Sequence, residues 1–396
     1  MQRKDNNIKD NKIDVVVKYF YPVSAGIELN SLEVYSNLAK MGWDVTIHTT
    51  RDTLNEKGIL KSREKYRGLT IIRHKTLRFY LLSNAYFSKS NIICLHNFNV
   101  LPHFTILLFS AIYKLLGIKK YKLFLIPHGG YTPEWSIFSK VTAYFKSNYH
   151  YKIGKFLINY AVDKIRAVSE WESKEIIKFG INKNKIRVIQ NGLEEFAYLS
   201  SIKVNKELVK KVKKYGKYVI QIGRIFPIKN IETSIKAMSL VRSDINLVII
   251  GPIADSDYYL KLKLLIAQNK LENRVFFVGV HSGRDKYYLI KNSIMMVHMA
   301  IWESFCNVVN EAMSQGRVCI VANNTALKYL VKENINGYRI GTHNYKELAR
   351  KINSVSTDLN KPYIKEIQKN NYNLSRSFSW VEVSKSVEQM FLSITI

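Results

Sequence analysis

Cysteine is scarce in this chain: Cys94, Cys306 and Cys319 are the only three among 396 residues. They lie in apolar strand-like or loop contexts, without the spacing of a disulfide framework or a metal site, so all three are expected to be reduced. Acid is also in short supply. Asp and Glu number 31 against 61 Lys and Arg, a formal net charge of +30. Long hydrophobic runs are missing as well, because the longest, Leu101 to Ile118, is broken by Pro102, His103 and Lys114. That run reads as a core or partly exposed helix rather than a membrane span. The start, MQRKDNNIKDNK, is polar and has no apolar stretch of the kind a signal peptide needs, so it reads as a frayed end on a cytoplasmic protein. Zinc-finger spacing, a basic leucine-zipper pattern and aromatic RNA-binding signatures are absent. Nucleic-acid binding, the rival class for so basic a chain, therefore rests on charge alone, and no nucleic-acid partner is expected.

What is present is a steady α/β rhythm. Hydrophobic residues make up 47% of the chain, ample for two packed cores. Short apolar segments at Asp14 to Tyr19, Asp44 to Thr49, Asn91 to His96 and Leu123 to Pro127 alternate with longer amphipathic runs. The second half repeats the pattern at Tyr218 to Gly223, Asn246 to Gly251, Val275 to Val278, Met295 to His298 and Val318 to Ala322. Strands separated by helices in this way predict parallel, doubly wound sheets, with a boundary near Gly192 to Ser201. Ligands of such sheets bind beyond the carboxyl ends of the strands, where His128, Arg224 and Glu303 fall.

Two segments carry chemistry. WESFCNVVNEAMSQG, Trp302 to Gly316, places Glu303 in a loop and Glu311 about two turns into the helix that follows. Exposed amides and the positive end of the helix dipole seat a phosphate at such a junction, while two carboxylates accept hydrogen bonds from hydroxyls on either side. QIGRIFPIKN, Gln221 to Asn230, is a strand ending in Gly223, then Arg224, a proline turn and Lys229 before a helix. An arginine fork and a lysine ammonium bracketing a strand-to-helix turn suit the localised negative charge of a diphosphate leaving group.

In order and spacing these segments resemble the retaining glycosyltransferases of family 4. The resemblance extends through VVVKYFYPVSAGIELNSLEVYSNLAKMGWDVTIHTT, LFLIPHGG, AVSEWESKEI, VIQNGLEE, VFFVGV, INGYRI and the FSW at Phe378 to Trp380. It implies the GT-B fold, in which two doubly wound Rossmann-like domains face a central cleft. Residues 1–195 would form the acceptor-binding domain, 196–375 the donor-binding domain, and 376–396 a helix packing back on the first. It implies a hexose donated by a nucleoside diphosphate sugar with retention of configuration and without a metal or other cofactor. The acceptor would be a glycan or lipid-linked molecule in surface-polysaccharide assembly.

Residue by residue, the resemblance assigns the diphosphate to Arg224 and Lys229, the donor hexose to Glu303 and the ribose to Glu311. His128 would approach the sugar from the first domain, and Gly26 would lie in a glycine loop near the donor phosphates. Gly223, Val280, Phe305, Cys306, Asn307 and Val308 complete the donor-binding set. The catalytic residues would be His128, Arg224, Lys229 and Glu303. Family 4 often has glycine where this chain has Ala25 and Cys306, and proline at Arg317. A sugar-nucleotide epimerase or a phosphorylase would share the donor half and remains an alternative.

The charge is uneven: Arg51 to His150 holds 16 Lys or Arg against 4 Asp or Glu. Within it Lys61, Arg63, Lys65, Arg67, Arg73, Lys75 and Arg78 interleave with Tyr66, Phe79, Tyr80, Tyr86 and Phe87, a mixture suited to an anionic membrane surface. Asp255-Ser256-Asp257 reads as a helix-capping loop rather than a metal motif. His48, His96, His103, His150, His281 and His298 lack spaced partners and read as structural, and His74 and His343 as exposed.

Overall fold

A computed structural model of the chain describes residues 11–23, 26–53, 56–87, 89–97, 101–130 and 139–394. The polar start through Asp10 and the loop position Ala25 lie outside these residues. The chain divides into two compact units, Met1–Gly192 with Trp380–Ile396, and Leu193–Ser379.

The first unit is built on eight strands: β1 Lys12–Val16, β2 Asp44–Thr50, β3 Arg63–Tyr66, β4 Leu69–His74, β5 Ile92–His96, β6 Lys122–Ile126, β7 Lys164–Ala167 and β8 Ile186–Val188. Their order is β3-β4-β2-β1-β5-β6-β7-β8, all parallel except the edge strand β3. β5 is buried along its whole length, as expected of a parallel strand covered on both faces. The segment read from sequence as a basic surface run is thus partly an antiparallel hairpin, β3 to β4. Arg73, Phe79 and Phe87 of that run are buried.

The helix Gly26–Lys40 covers this sheet and is itself covered by the last helix, Trp380–Leu392. Ser384 Oγ donates to Val34 O at 3.4 Å and Trp43 Nε1 to Glu388 Oε1 at 2.9 Å. Phe391, fully buried, meets Phe124 edge-on with centroids 4.5 Å apart. Such a pair contributes about 0.5–1.5 kcal/mol beyond its buried area. The run after Leu101 is the helix His103–Leu115, and no helix among the described residues is long and apolar enough to cross a membrane.

The second unit has six parallel strands: β9 Lys217–Ile222, β10 Ile245–Ile250, β11 Val275–Phe277, β12 Met295–His298, β13 Val318–Ala322 and β14 Gly337–Ile340. Their order, β11-β10-β9-β12-β13-β14, reverses direction between β9 and β12. Asp255 caps the helix Ser256–Gln268 by accepting from Tyr258 N at 2.8 Å. At the limits of this unit Leu193 N donates to Phe378 O at 2.7 Å.

Candidate active site

The reversal between β9 and β12 opens a crevice at the carboxyl ends of these two strands. The turn after β9 and the loop after β12 meet there. Asn230, in the left-handed conformation (φ 48°, ψ 49°), donates from Nδ2 to Met299 O at 2.8 Å and Thr342 O at 2.7 Å. Asparagine tolerates that backbone geometry better than most residues, and its amide ties the first turn to the second. The exits of β9 and β10 touch backbone to backbone. A Cβ on Gly251, whose φ is 151°, would lie 1.9 Å from Gly223 O, so no side chain fits.

This scaffold sets Lys229 Nζ 2.5 Å from Glu303 Oε1, and His298 Nε2 donates to the same oxygen at 2.8 Å. Glu303 N is held by Thr325 Oγ1 at 3.1 Å. Burial alone would raise the Glu303 carboxyl, but Lys229 and His298 prevail and hold it at about 2. Burial opposes the Lys229 charge, yet Glu303 raises its pKa on balance, while the Arg224 charge works the other way. Arg224 is exposed, its guanidinium 5.9 Å from the Phe226 ring.

Glu311 is the fifth residue of the helix Asn307–Ser314, little more than one turn in rather than two, because the helix begins later than the sequence suggests. Its Oε1 lies 2.9 Å from Lys286 Nζ, which is also 2.9 Å from Glu194 Oε2. Burial works against the Lys286 charge, but the two carboxylates raise its pKa on balance. The other oxygen, Glu311 Oε2, is buried and has no hydrogen-bond partner. A buried acceptor left open is costly unless something donates to it.

Cys306 precedes the same helix with φ 79° and ψ 72°, a left-handed geometry that carries strain in a non-glycine residue. Burial pushes its thiol well above the usual range, with the Glu303 charge adding to the effect. Phe305 is buried, Asn307 and Val308 are half-buried in the first helical turn, and Val280 is 66% exposed in the loop after β11.

His298, Glu303 and Cys306 offer ligand atoms within 4.8 Å of one another. The sequence spacing of the cysteines did not reveal this group. A metal there would compete with the Lys229 ammonium for Glu303 Oε1, and a protonated thiol is a poor ligand.

In the first unit, His128 follows β6 at φ 50°. Its Nε2 lies 2.9 Å from His96 Nδ1, and His96 in turn meets Tyr35 OH at 2.7 Å and Ser31 Oγ at 3.2 Å. Burial, with the Arg166 charge adding to it, lowers His128 to about 3. Glu172 accepts from Gly129 N, the amide next to His128, and from Val168 N at 2.7 Å. Burial outweighs these bonds and raises its carboxyl to about 7. Gly26 opens its helix in open space, where a Cβ would meet nothing within 4 Å.

His48, His96 and His298 therefore have partners that sequence spacing did not show. His48 joins Asp14 at 3.0 Å and His74 at 3.1 Å. His74 is buried rather than exposed, since it ends β4 between His48 and Tyr86. His343 is exposed. Asn230, Lys286, Glu194, Arg166 and Glu172 were not singled out from sequence. Only Asn230, Glu194 and Glu172 offered a signal, in the KN, NGLEE and AVSEWESKEI segments.

Each unit matches a known family. Residues 24–195 fit Glycosyltransferase Family 4 and residues 204–373 fit Glycosyl transferases group 1. An uncharacterized glycosyltransferase of Methanocaldococcus jannaschii is 26% identical over 245 residues, 60% of this chain and 62% of that protein. The N-acetylgalactosamine-N,N'-diacetylbacillosaminyl-diphospho-undecaprenol 4-alpha-N-acetylgalactosaminyltransferase of Campylobacter jejuni is 24% identical over 175 residues, 43% of this chain and 45% of that protein. Both matches thus span less than two thirds of the curated relative. Among solved structures, Anabaena HepE in complex with UDP-glucose superposes with a TM-score of 0.74 at 18% identity, covering 97% of this chain and 100% of HepE. With a transferase family on each unit and two parallel sheets of matching architecture, the chain is a glycosyltransferase of the GT-B fold.

Proposed function

We propose that the protein transfers a hexose from a nucleoside diphosphate sugar, with retention, to a glycan or lipid-linked acceptor in surface-polysaccharide assembly. The observation that carries this reading is the pairing of Lys229 with Glu303, together with Glu311, whose Oε2 is buried and open, on the helix that follows the Glu303 loop. A ribose hydroxyl donating to that oxygen would satisfy it. Arg224 and Lys229 neutralise the diphosphate as the glycosidic bond breaks, and Glu303, ionised at neutral pH, orients the hexose hydroxyls. A donor phosphate oxygen takes the acceptor proton in front-face attack. The role toward the sugar that the resemblance gives His128 belongs to the same reading, and its imidazole, lowered to about 3, is neutral at pH 7. The complexes of HepE with UDP-glucose and the acceptor in the Campylobacter enzyme's name support the substrate classes.

Turnover proceeds without a metal, since the Lys229 ammonium already occupies the carboxylate a metal would need. Activity should survive EDTA at millimolar concentration, and loss restored by a divalent cation would reverse this point. The direct test is a thermal-shift screen against UDP, GDP, ADP and their sugar conjugates. One nucleotide series should raise the melting temperature, and Glu311→Ala and Lys229→Ala should lose the shift. No response to any nucleotide would refute the donor site. Conversion of the sugar nucleotide without an acceptor would reassign the protein as an epimerase.

Peripheral association with an anionic membrane belongs to the same reading. The helix Lys140–Asn148 buries none of its residues; Val141, Tyr144 and Phe145 are 67%, 65% and 67% exposed. Tyr151, Ile153 and Phe156 are also exposed, among Lys140, Lys152 and Lys155. Aromatic anchors among lysines suit a bilayer of acidic lipids. Flotation with phosphatidylglycerol liposomes should carry the protein upward at low salt, and failure to float there would sink the idea.

A further inference from the structure

The first unit holds a cavity of about 620 Å³ at the carboxyl ends of β2 and β4, beside the β3 hairpin strand. Its walls include Arg51, Arg63, Arg73, Lys75, Arg78 and Tyr86. One of these cations is already paired: Arg73 is buried, meets Glu64 at 2.5 Å and donates to Tyr21 O at 2.6 Å. The other four differ. Among the described residues, no carboxylate lies within ion-pair distance of Arg51, Arg63, Lys75 or Arg78.

The acids close by are engaged elsewhere. Asp52 accepts from Gly58 N at 2.9 Å and Thr76 Oγ1 at 2.7 Å, while Asp14 accepts from His48 and Ser90. Arg51 and Arg78 are braced in place: Arg51 Nε donates to Leu60 O at 2.7 Å, and Arg78 Nε to Tyr86 OH at 3.2 Å, with its guanidinium over that ring.

Four like charges around one cavity repel each other, and the buried His48 and His74 add no compensating negative charge. Arginine forks braced by neighbours match the oxygens of phosphate bidentately, and a lysine adds a point charge. Ile72 and Tyr86 give the cavity an apolar flank for whatever bears the phosphate.

We infer that this cavity binds a phosphate or diphosphate group, and that the group belongs to the acceptor. Identifying the ligand as the acceptor rests on the transferase reading and the family's placement of the acceptor in the first domain; affinity for the anion does not.

Inorganic pyrophosphate is the probe, titrated calorimetrically into full-length Lys229→Ala, which weakens the donor-diphosphate site and leaves this cavity intact. One equivalent should bind. Adding Arg63→Ala and Arg78→Ala should lower the affinity at least tenfold, and Arg63→Lys with Arg78→Lys should restore part of it. Both arginines are exposed, so melting temperature and circular dichroism should stay unchanged. No binding by Lys229→Ala, or affinity indifferent to the two arginines, would overturn the inference.

The source of the phosphate is read in parallel. Farnesyl diphosphate competing with pyrophosphate, in a manner lost with the two arginines, supports a lipid-linked diphosphate, whereas glucose 1-phosphate competing instead supports a free phosphorylated acceptor. Phosphatidylglycerol vesicles binding through the two arginines without pyrophosphate affinity would overturn the pocket in favour of a bilayer contact. Because the nucleotide thermal shift tests the donor site separately, failure of one reading is distinguishable from failure of the other.

Discussion

The two units handle charge in opposite ways. Around the crevice of the second unit the buried cations have carboxylate partners, Lys229 with Glu303 and Lys286 with both Glu194 and Glu311. In the first unit four of the five cavity cations, all but Arg73, lack such partners among the described residues, and burial suppresses charge on His74, His96 and His128. The contrast extends to two glutamates. Glu303 is held down at about 2 despite burial, whereas Glu172 is raised to about 7 because of it. A compensated site is stable while empty and keeps its geometry ready. An uncompensated one is improved by the ligand that fills it.

The comparison breaks most visibly at Lys229. Replacing it with Ala leaves Glu303 buried without its ammonium and, on the proposed function, removes leaving-group stabilisation; kcat should fall by about two to three orders of magnitude. A radiolabelled sugar-transfer assay reads this, and near-normal turnover would contradict the assignment. Next is Glu311→Ala, expected to weaken nucleotide binding by about 10- to 100-fold, the worth of a hydrogen bond to a charged group. Calorimetry should show the loss in affinity with the stoichiometry unchanged.

Acid and base sharpen the contrast between the glutamates. The folded pKa of Glu303 is depressed, so its contribution is present above the unfolded value near 4.5 and is lost as pH falls toward 2. Glu172 runs the other way. Its folded pKa is raised, so its contribution is full below about 4.5 and is lost as pH rises through 7. In denaturant melts, Glu172→Gln should therefore flatten the decline between pH 5 and 8, on the order of 2 kcal/mol. Glu303→Gln should leave that range unaltered and flatten the acid limb instead. The smallest effect is expected at Cys306→Gly, where relief of the left-handed backbone should raise stability by about 1 kcal/mol or less in thermal melts.

Much of the second unit was legible in the sequence, because a parallel strand buried on both faces is a continuous apolar run and its bounds follow from composition. β12 and β13 fall where the pattern put them. Arg224, Lys229, Glu303 and Glu311 were visible because each sits at a strand exit or helix start. The hairpin β3–β4 was not. The edge strand REKY carries Arg63 and Lys65 outward while its neighbour LTIIRH buries Arg73 and His74, and in sequence the two together look like one charge run. His298 and Lys286 were invisible for another reason. Their partners, Glu303 and Glu311 with Glu194, arrive through tertiary packing, which no local spacing encodes. His74 was misjudged because its polar sequence neighbours are not its spatial ones.

The bond from Leu193 N to Phe378 O joins the two limits of the second unit. On the first unit's side, a Cβ on Gly192 would lie 2.4 Å from the Trp380 ring. In the language of gene architecture, residues 193–379 are a cassette whose entry and exit share one doorway. Cut at that doorway, the cassette keeps every strand of its sheet and each of the acid–cation pairs around its crevice. The second unit could therefore be exchanged between proteins of this fold as a single insert, with both splice points within a few ångströms of each other.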